Sequence, residues 1–459
     1  MTETTKKETP SPFAAIILAA GKGTRMKSAR HKVLHPIAGK PMLGHLMDAL
    51  ASLEPVKMVV VLGAGREEVE PYVVERGADI ALQEDQLGTG HAVIQARAAL
   101  EGFDGDVLAC FGDVPMVRAE TVAAMLDRLH ADDAPASVVL AFRPDDPLAY
   151  GRIIADGDGR IEKMVEFKDA SDSERAVNLC NSGLIVARAT DMFALLDQVG
   201  NDNAQGEYYL PDMVMVAQND GRHSAVIEAA AWEVAGINSR AELAAVERDW
   251  QDRKRAEVMA AGATLVDPAT VWFNHDSVIG ADVTIEPQVR FGPGVTVADG
   301  AAIHAFSHIE GATIGAGCSV GPYARLRPGA VMERGSKIGN FVEMKKAVLG
   351  EGAKANHLTY LGDATVGPGA NIGAGTITCN YDGFFKYQTE IGAGAFVGSN
   401  SALVAPVKIG DGAIIGAGSV VTKDVEADAL GVARGEQSAK PGWAKKFRDV
   451  MTRKKASKS

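Results

Sequence analysis

From Ile279 onward an apolar residue returns at every sixth position. Ile279, Ile285, Phe291, Val297, Ile303 and Ile309 keep the step, the phase slips by one to Ile314, and the step then holds through Val320, Leu326, Met332 and Ile338. It returns at Val366 and Ile372, and again at Ile391, Val397, Leu403, Ile409 and Ile415. A six-residue beat predicts a solenoid of short parallel strands, a β-helix in which each aliphatic side chain points inward and stacks on the one a coil earlier. Glycine or another small residue after the apolar position lets the corners turn, which gives the distribution of the chain's 50 glycines its meaning. Two stretches break the beat, KKAVLGEGAKANHLTYLGDAT and TCNYDGFFKYQTE. Repeats accept insertions on their surface, commonly on the functional face.

The first half follows a different rule. Short apolar runs, AAIILAA, KMVVVLG, DVLACFG and ASVVLAF, alternate with stretches such as PMLGHLMDALASL and GHAVIQARAALEG whose apolar residues fall at helical spacing. Strands alternating with helices predict a mostly parallel sheet covered on both faces. RIIADGDGRIEKMVE reads as an inserted hairpin turned at its Asp-Gly pairs. RAELAAVERDWQDRKRAEVMA is charged, glycine-free and helical in period. The expected organisation is one domain over 1–238, a connecting helix over 239–261 and the β-helix over 262–459, ending in a basic, loose tail that is either solvated or a strap over an anionic ligand.

A net charge of −12 argues against nucleic acid as the main partner. Cys110, Cys180, Cys318 and Cys379 form no C-x-x-C pair and suit free thiols in a reducing compartment. No apolar stretch approaches the roughly 20 residues of a membrane helix. Lys6 and Lys7 before FAAIILAA imitate a signal peptide, but Glu3 and Glu8 spoil its basic leader. A buried first strand behind a loose, polar N-terminus fits better.

LAAGKGTRM, at Leu18 to Met26, is a glycine loop after a strand. The dinucleotide pattern G-x-G-x-x-G fails at Met26. The pattern G-x-x-x-x-G-K-[ST] fails because Ile16 stands where its first glycine belongs. Thr24, Arg25 and Lys32 still bring two cations and backbone N–H groups toward one phosphate-sized site. The stretch resembles the sugar nucleotidyltransferase signature. QLGTGHA at Gln86, GDVP at Gly112, YGRI at Tyr150, VEFKDA at Val165 and NSG at Asn181 follow in order. With NFVEMKKA, HLTYLGDA and NIGAGTITCNYDG in the second half, nearly the whole chain resembles one family. Its members are the bifunctional bacterial N-acetylglucosamine-1-phosphate uridylyltransferases and glucosamine-1-phosphate N-acetyltransferases. One departure is His31, where the family usually has proline before the lysine.

That resemblance implies an α/β chain: a Rossmann-like nucleotidyltransferase domain, the connecting helix and a left-handed parallel β-helix. It implies attack by a sugar 1-phosphate on the α-phosphorus of UTP, with release of pyrophosphate. Arg25 and Lys32 would hold phosphate oxygens. Leu18, Ala19, Ala20, Gly21, Gln83, Gly88, Thr89, Phe111 and Gly112 map to the nucleotide, and Gly151, Glu166 and Asn181 to the sugar. Asp113 and Asn238 map to Mg²⁺. In the second half the resemblance implies acetyl transfer from acetyl-CoA to glucosamine 1-phosphate. His357 is the candidate base, Glu343 could orient its imidazole, and the Ala374 N–H could face the oxyanion. Arg327, Lys345, Tyr360 and Asn371 map to the sugar phosphate, with Lys386 a weaker candidate. Asn380, Tyr381, Ser399, Ala417 and Arg434 map to acetyl-CoA. His275, His304 and His308 read as structural. The family is a homotrimer of the cytoplasm with small-molecule substrates, and neither nucleic acid nor stable membrane insertion is expected. Two rival readings remain: a single-function nucleotidyltransferase with a regulatory, assembling β-helix, and a non-catalytic scaffold.

Overall fold

The computed structural model describes residues 11–21, 23–147 and 150–457. The polar N-terminal stretch with Lys6 and Lys7, and Lys22 of the glycine loop, lie outside them. The chain divides into two compact units, one up to Arg253 and one from Lys254. The division falls inside a helix, Arg240–Ala260.

The first unit is built on a sheet whose main path runs, edge to edge, Ala225–Ala229, Ser137–Phe142, Cys180–Arg188, Asp106–Phe111, Phe13–Ala19, Lys57–Leu62 and Asp79–Leu82. All neighbours are parallel except Cys180–Arg188, which is antiparallel on both sides. The first strand shows why its sequence is an unbroken apolar run. It is central and buried along its whole length, with Ile16 and Leu18 in one core and Ala15 and Ile17 in the other. All four expected strands are present. Three further ones, Asp79–Leu82, Cys180–Arg188 and Ala225–Ala229, carry too few consecutive apolar residues to announce themselves. The hairpin pairs Arg152–Ala155 with Ile161–Val165. Its turn is held by Asp156, whose Oδ1 accepts from the N–H groups of Asp158 and Arg160, both at 2.9 Å.

In the second unit the beat residues fill the core. Ile285, Phe291, Val297, Ile303, Ile309, Val320, Leu326 and Ile338 are buried, as are Val397, Leu403 and Ile415. Successive coils pair in parallel, as in Thr284–Ile285 with Ala302–Ile303 and Ala302–Ile303 with Ser319–Val320. The first apparent interruption is not an insertion. Glu343–Leu349, Lys354–His357 and Tyr360–Val366 continue the ladders in register, with buried Met344, Ala347, Leu349, Ala353, Ala355, Leu361 and Ala364 inside. Alanine at several inward positions hid the period. His357 therefore lies on a coil corner and not on an extra loop. The second interruption is a true excursion. A small bridge joins Tyr381 to Lys386, and Phe384 and Phe385 stand exposed. The basic tail, expected loose, forms a helix, Trp443–Ala456, because Trp443, Phe447, Val450 and Met451 recur at helical spacing. Its apolar residues are exposed.

Candidate active sites

In the first unit the C-terminal ends of the central strands deliver the glycine loop and the GDVP turn side by side, where open α/β sheets place ligands. The Gly112 N–H donates to the Leu18 carbonyl at 2.9 Å and ties the two together. Gly23 has a φ of +59°, and a Cβ there would come within 2.6 Å of the Lys32 Cβ. Glycine therefore lets the loop close against the lysine. Gly23→Ala is expected to lower activity at this site by about 10-fold or more, through displacement of Lys32. Steady-state kinetics beside a thermal melt would test it, and unchanged kinetics would speak against the packing argument.

Asn238 lies 125 residues after Asp113 in the chain, and backbone structure brings them together. The Ile237 N–H donates to the Asp113 carbonyl at 3.0 Å. The next residues open the connecting helix with a capping box: Glu242 N–H to Ser239 Oγ at 3.2 Å, and Ser239 N–H to Glu242 Oε2 at 2.9 Å. The same carboxylate accepts the Asn238 N–H at 2.5 Å. Arg240 then bonds His35 Nδ1 at 3.1 Å and the Met26 carbonyl at 3.3 Å, anchoring the segment around Lys32. The result is a tight polar cluster. Lys32 Nζ pairs with Asp113 and donates to Asn238 Oδ1 at 2.6 Å, and Arg25 donates to the same oxygen at 2.9 Å. His31 adopts φ −58°, which proline would share, but its N–H donates to Glu68 Oε2 at 2.7 Å, a bond proline cannot make.

Two clefts meet at this cluster. One is lined by Leu18, Ala19, Ala20, Gly21, Lys32, Gln83, Gly88, Thr89, Phe111 and Asp113. The other is lined by Thr89, Phe111, Asp113, Gly151, Glu166, Asn181 and Asn238. Every nucleotide or sugar candidate lines one or both except Arg25 and Gly112, which are tied to them by the bonds just described. Gln83 is buried, and its Nε2 donates to the Gly88 carbonyl at 3.0 Å. Sequence reasoning missed Gln86, which donates to the Ala20 carbonyl at 2.6 Å and lies within the quoted QLGTGHA. It also missed Glu207 and Tyr209, which no local pattern marks. They arrive because Tyr208 exchanges backbone bonds with Leu87 and Gly90, both at 2.8 Å.

The second cleft is acidic, with Asp113, Glu166 and Glu207 in its lining. Burial first, then Asp212 and Asp169, hold the Glu166 carboxyl above its ordinary value. Burial first, then Asp169, push Asp212 up from 3.8 to about 6. Between those values the folded chain keeps a proton that the unfolded chain has lost. Asp212 therefore favours folding below this window and costs stability as pH rises through it. Asp212→Asn, which cannot ionise, is expected to gain a few degrees in Tm relative to the parent between about pH 4.5 and about pH 7.5. Melting curves at both pH values read it, and a constant Tm difference would contradict the burial argument.

In the second unit one corner of the coils carries a column of candidates. The Leu358 N–H donates to the Asn340 carbonyl at 3.1 Å, that of Gly375 to the His357 carbonyl at 3.2 Å, that of Asn400 to Ala374 at 2.7 Å and that of Gly418 to Ser399 at 2.8 Å. Arg434 closes the column on the Ala417 carbonyl at 2.6 Å. His357, Ala374, Ser399, Ala417 and Arg434 thus follow one line. Among the described residues the Ala374 N–H makes no hydrogen bond, so it is available to a ligand. Asn380 Nδ2 donates to Asp363 at 2.5 Å, and the Tyr381 hydroxyl donates to the Gly383 carbonyl at 2.6 Å, at the base of the excursion.

One expectation for this unit changes. Glu343 does not hold His357, because its Oε1 accepts from Arg327 at 2.8 Å. The His357 Nδ1 faces Asn340 Oδ1 at 2.9 Å instead. The acceptor candidates do not share one face. Lys345 and Tyr360 belong to one sheet, with Arg327 just past the end of its strand Arg325–Leu326, and Asn371 belongs to the other. Lys386 joins the first group: its ammonium first, then burial and then the Arg327 guanidinium lower the Lys345 pKa. Gly362 has no room for a Cβ because the Tyr360 ring lies over it.

Residues 15–171 match the model of the MobA-like NTP transferase domain. Residues 276–311 and 388–423 match that of the bacterial transferase hexapeptide (six repeats). A relative from Sphingopyxis alaskensis named "Bifunctional protein GlmU" is 66% identical over 447 residues, 97% of this chain and 99% of its own length. Proteins of the same name from Rhizorhabdus wittichii and Zymomonas mobilis subsp. mobilis are 66% identical over 450 residues and 59% identical over 445. They cover 98% and 96% of this chain, and 100% and 99% of their own lengths. Likeness at this level runs through both units, and the chain belongs to the family of bifunctional GlmU proteins.

Proposed function

We propose that the second unit acetylates glucosamine 1-phosphate with acetyl-CoA, and that the first transfers the uridylyl group of UTP to the resulting N-acetylglucosamine 1-phosphate. The product is UDP-N-acetylglucosamine. The observation that carries the reading is the polar cluster of Arg25, Lys32, Asp113 and Asn238 at the meeting point of two clefts, in a chain whose other unit carries a separate histidine site.

In the uridylyl reaction a sugar-phosphate oxygen bonds to the α-phosphorus while the bond to the β-phosphate oxygen breaks and pyrophosphate leaves. Such a step needs positioning and charge neutralisation more than covalent chemistry. Arg25 can engage two phosphate oxygens, and Lys32 serves as a compact charge. Gln83 offers an amide for the base, and Glu166 and Asn181 line the cleft for the sugar. Asp113 and Asn238 fit Mg²⁺, since their oxygens already converge on one positive charge, the Lys32 ammonium. Two protein oxygens completed by phosphate and water suit that ion. When bound, Mg²⁺ neutralises phosphate charge.

In the acetyl reaction the amino nitrogen bonds to the thioester carbonyl carbon, His357 removes its proton, and the carbon–sulfur bond breaks to release coenzyme A. The Ala374 N–H suits the carbonyl oxygen as it gains charge. The cationic group of Arg327, Lys345 and Lys386 suits the acceptor's phosphate. Asn371, on the other sheet, would meet such a site from a neighbouring copy in a homotrimer. An exposed column of stacked rings supports it too. Phe306 and Tyr323 lie 4.8 Å apart and Tyr323 and Phe341 5.3 Å apart, each with a positive φ. No helix among the described residues is long and apolar enough to cross a membrane. Cytoplasmic residence follows from the substrates, and the product would feed cell-wall and lipopolysaccharide synthesis. Two assays test the reading: thiol release from acetyl-CoA with glucosamine 1-phosphate, and pyrophosphate release from UTP with N-acetylglucosamine 1-phosphate. Both positive supports it. The second alone favours a regulatory β-helix, and neither favours a scaffold.

A further inference from the structure

We infer that Asn340 is the positioning residue for His357: it fixes the imidazole with its hydrogen on Nδ1 and leaves the Nε2 lone pair to take the proton of the amine. The inference rests on the acetyl-transfer reading above.

Asn340 and His357 end the strands Lys337–Asn340 and Lys354–His357, and they are direct register partners in adjacent coils. Parallel pairing stacks their side chains on one face. The coils approach closely here, because a Cβ on Gly339 would run into the Asn356 carbonyl. Both backbones are held. The Asn340 carbonyl accepts from the Leu358 N–H at 3.1 Å, and the His357 carbonyl accepts from Gly375 N–H at 3.2 Å and Thr359 Oγ1 at 2.8 Å. Asn340 is half-buried and His357 exposed, so the amide is the fixed member and the ring the one that needs fixing.

An amide oxygen only accepts, so a ring nitrogen 2.9 Å from Asn340 Oδ1 must carry the hydrogen. The partner of one ring nitrogen decides the state of the other. A carboxylate in this place would also favour the protonated ring. A neutral amide orients the imidazole without adding that charge. Glu343, the obvious carboxylate, is engaged by Arg327.

The test compares four variants in the full-length chain by thiol release from acetyl-CoA with glucosamine 1-phosphate. Asn340→Leu removes the acceptor and is expected to lower kcat about 10- to 100-fold, part of what a general base contributes. KM for both substrates should stay within about twofold, since nothing that binds them has changed. Asn340→Ala carries the same expectation if leucine disturbs the coil. Asn340→Asp keeps an acceptor and loses the amide's donor, so it should restore kcat to within about fivefold of the parent. Unchanged kcat in the leucine and alanine variants overturns the inference. So does an aspartate variant as impaired as those two, which would mean that Asn340 acts through its N–H₂. His357→Ala separates this inference from the reading beneath it. Retained acetylation in that variant would show that His357 is not the base, whatever Asn340 does.

Discussion

Asp113→Ala is expected to lower kcat/KM for uridylyl transfer by about 10³-fold while leaving acetyl transfer within about twofold. Asp113 is the one carboxylate of the polar cluster, where it pairs with Lys32. Removing a preorganised charge from a site where charge develops typically costs about 10²–10³ in rate. Here the loss also leaves the Lys32 side chain, only 11% exposed, with Asn238 as the remaining partner of its ammonium among the described residues. The fold should survive, because Asp113 meets Ile237 through its backbone carbonyl, which alanine retains. Pyrophosphate release and thiol release measured on one preparation read both numbers. Uridylyl transfer at the parent's rate would remove Asp113 from the site, and a parallel loss of both activities would indicate a folding defect.

His357→Ala is expected to do the reverse, with acetyl transfer down by about 10²–10⁴-fold and uridylyl transfer unchanged. The side chain is exposed, and among the described residues its ring hydrogen-bonds to Asn340 alone. Truncation therefore creates no cavity in the core and should leave stability within about 0.5 kcal/mol, as for ordinary surface positions. An unchanged melting curve combined with lost thiol release identifies a chemical role. A loss of the two together would make His357 structural, the reading already given to His304, whose ring is held between Glu286 at 2.9 Å and Ser319 at 3.1 Å.

The legible parts share one physical property: they are local or periodic. The first strand is apolar throughout because both its faces are covered, and a run of that kind has one reading once a glycine loop follows it. The inward residues of the solenoid repeat because each coil meets the same environment as the last. Where that environment was filled by alanine, as at Ala347, Ala353, Ala355 and Ala364, the period faded and a continuous ladder looked like an insertion. The tail helix is faint for the opposite reason: the helical spacing of Trp443, Phe447, Val450 and Met451 is set among many positive charges.

What the amino-acid order determined alone is the architecture of two units and the glycine loop. Those features depend on spacing along the chain and on residue type. Only the tertiary structure decided which side chains meet. Asn238 reaches Asp113 through a backbone bond between Ile237 and Asp113, which lie far apart in the chain. Asn340 replaces Glu343 beside His357 because coil register, and not sequence distance, sets what stacks on what. Asn371 falls on a different sheet from Lys345 because a corner intervenes. Contacts of this kind arise from packing between segments, and no local pattern encodes them.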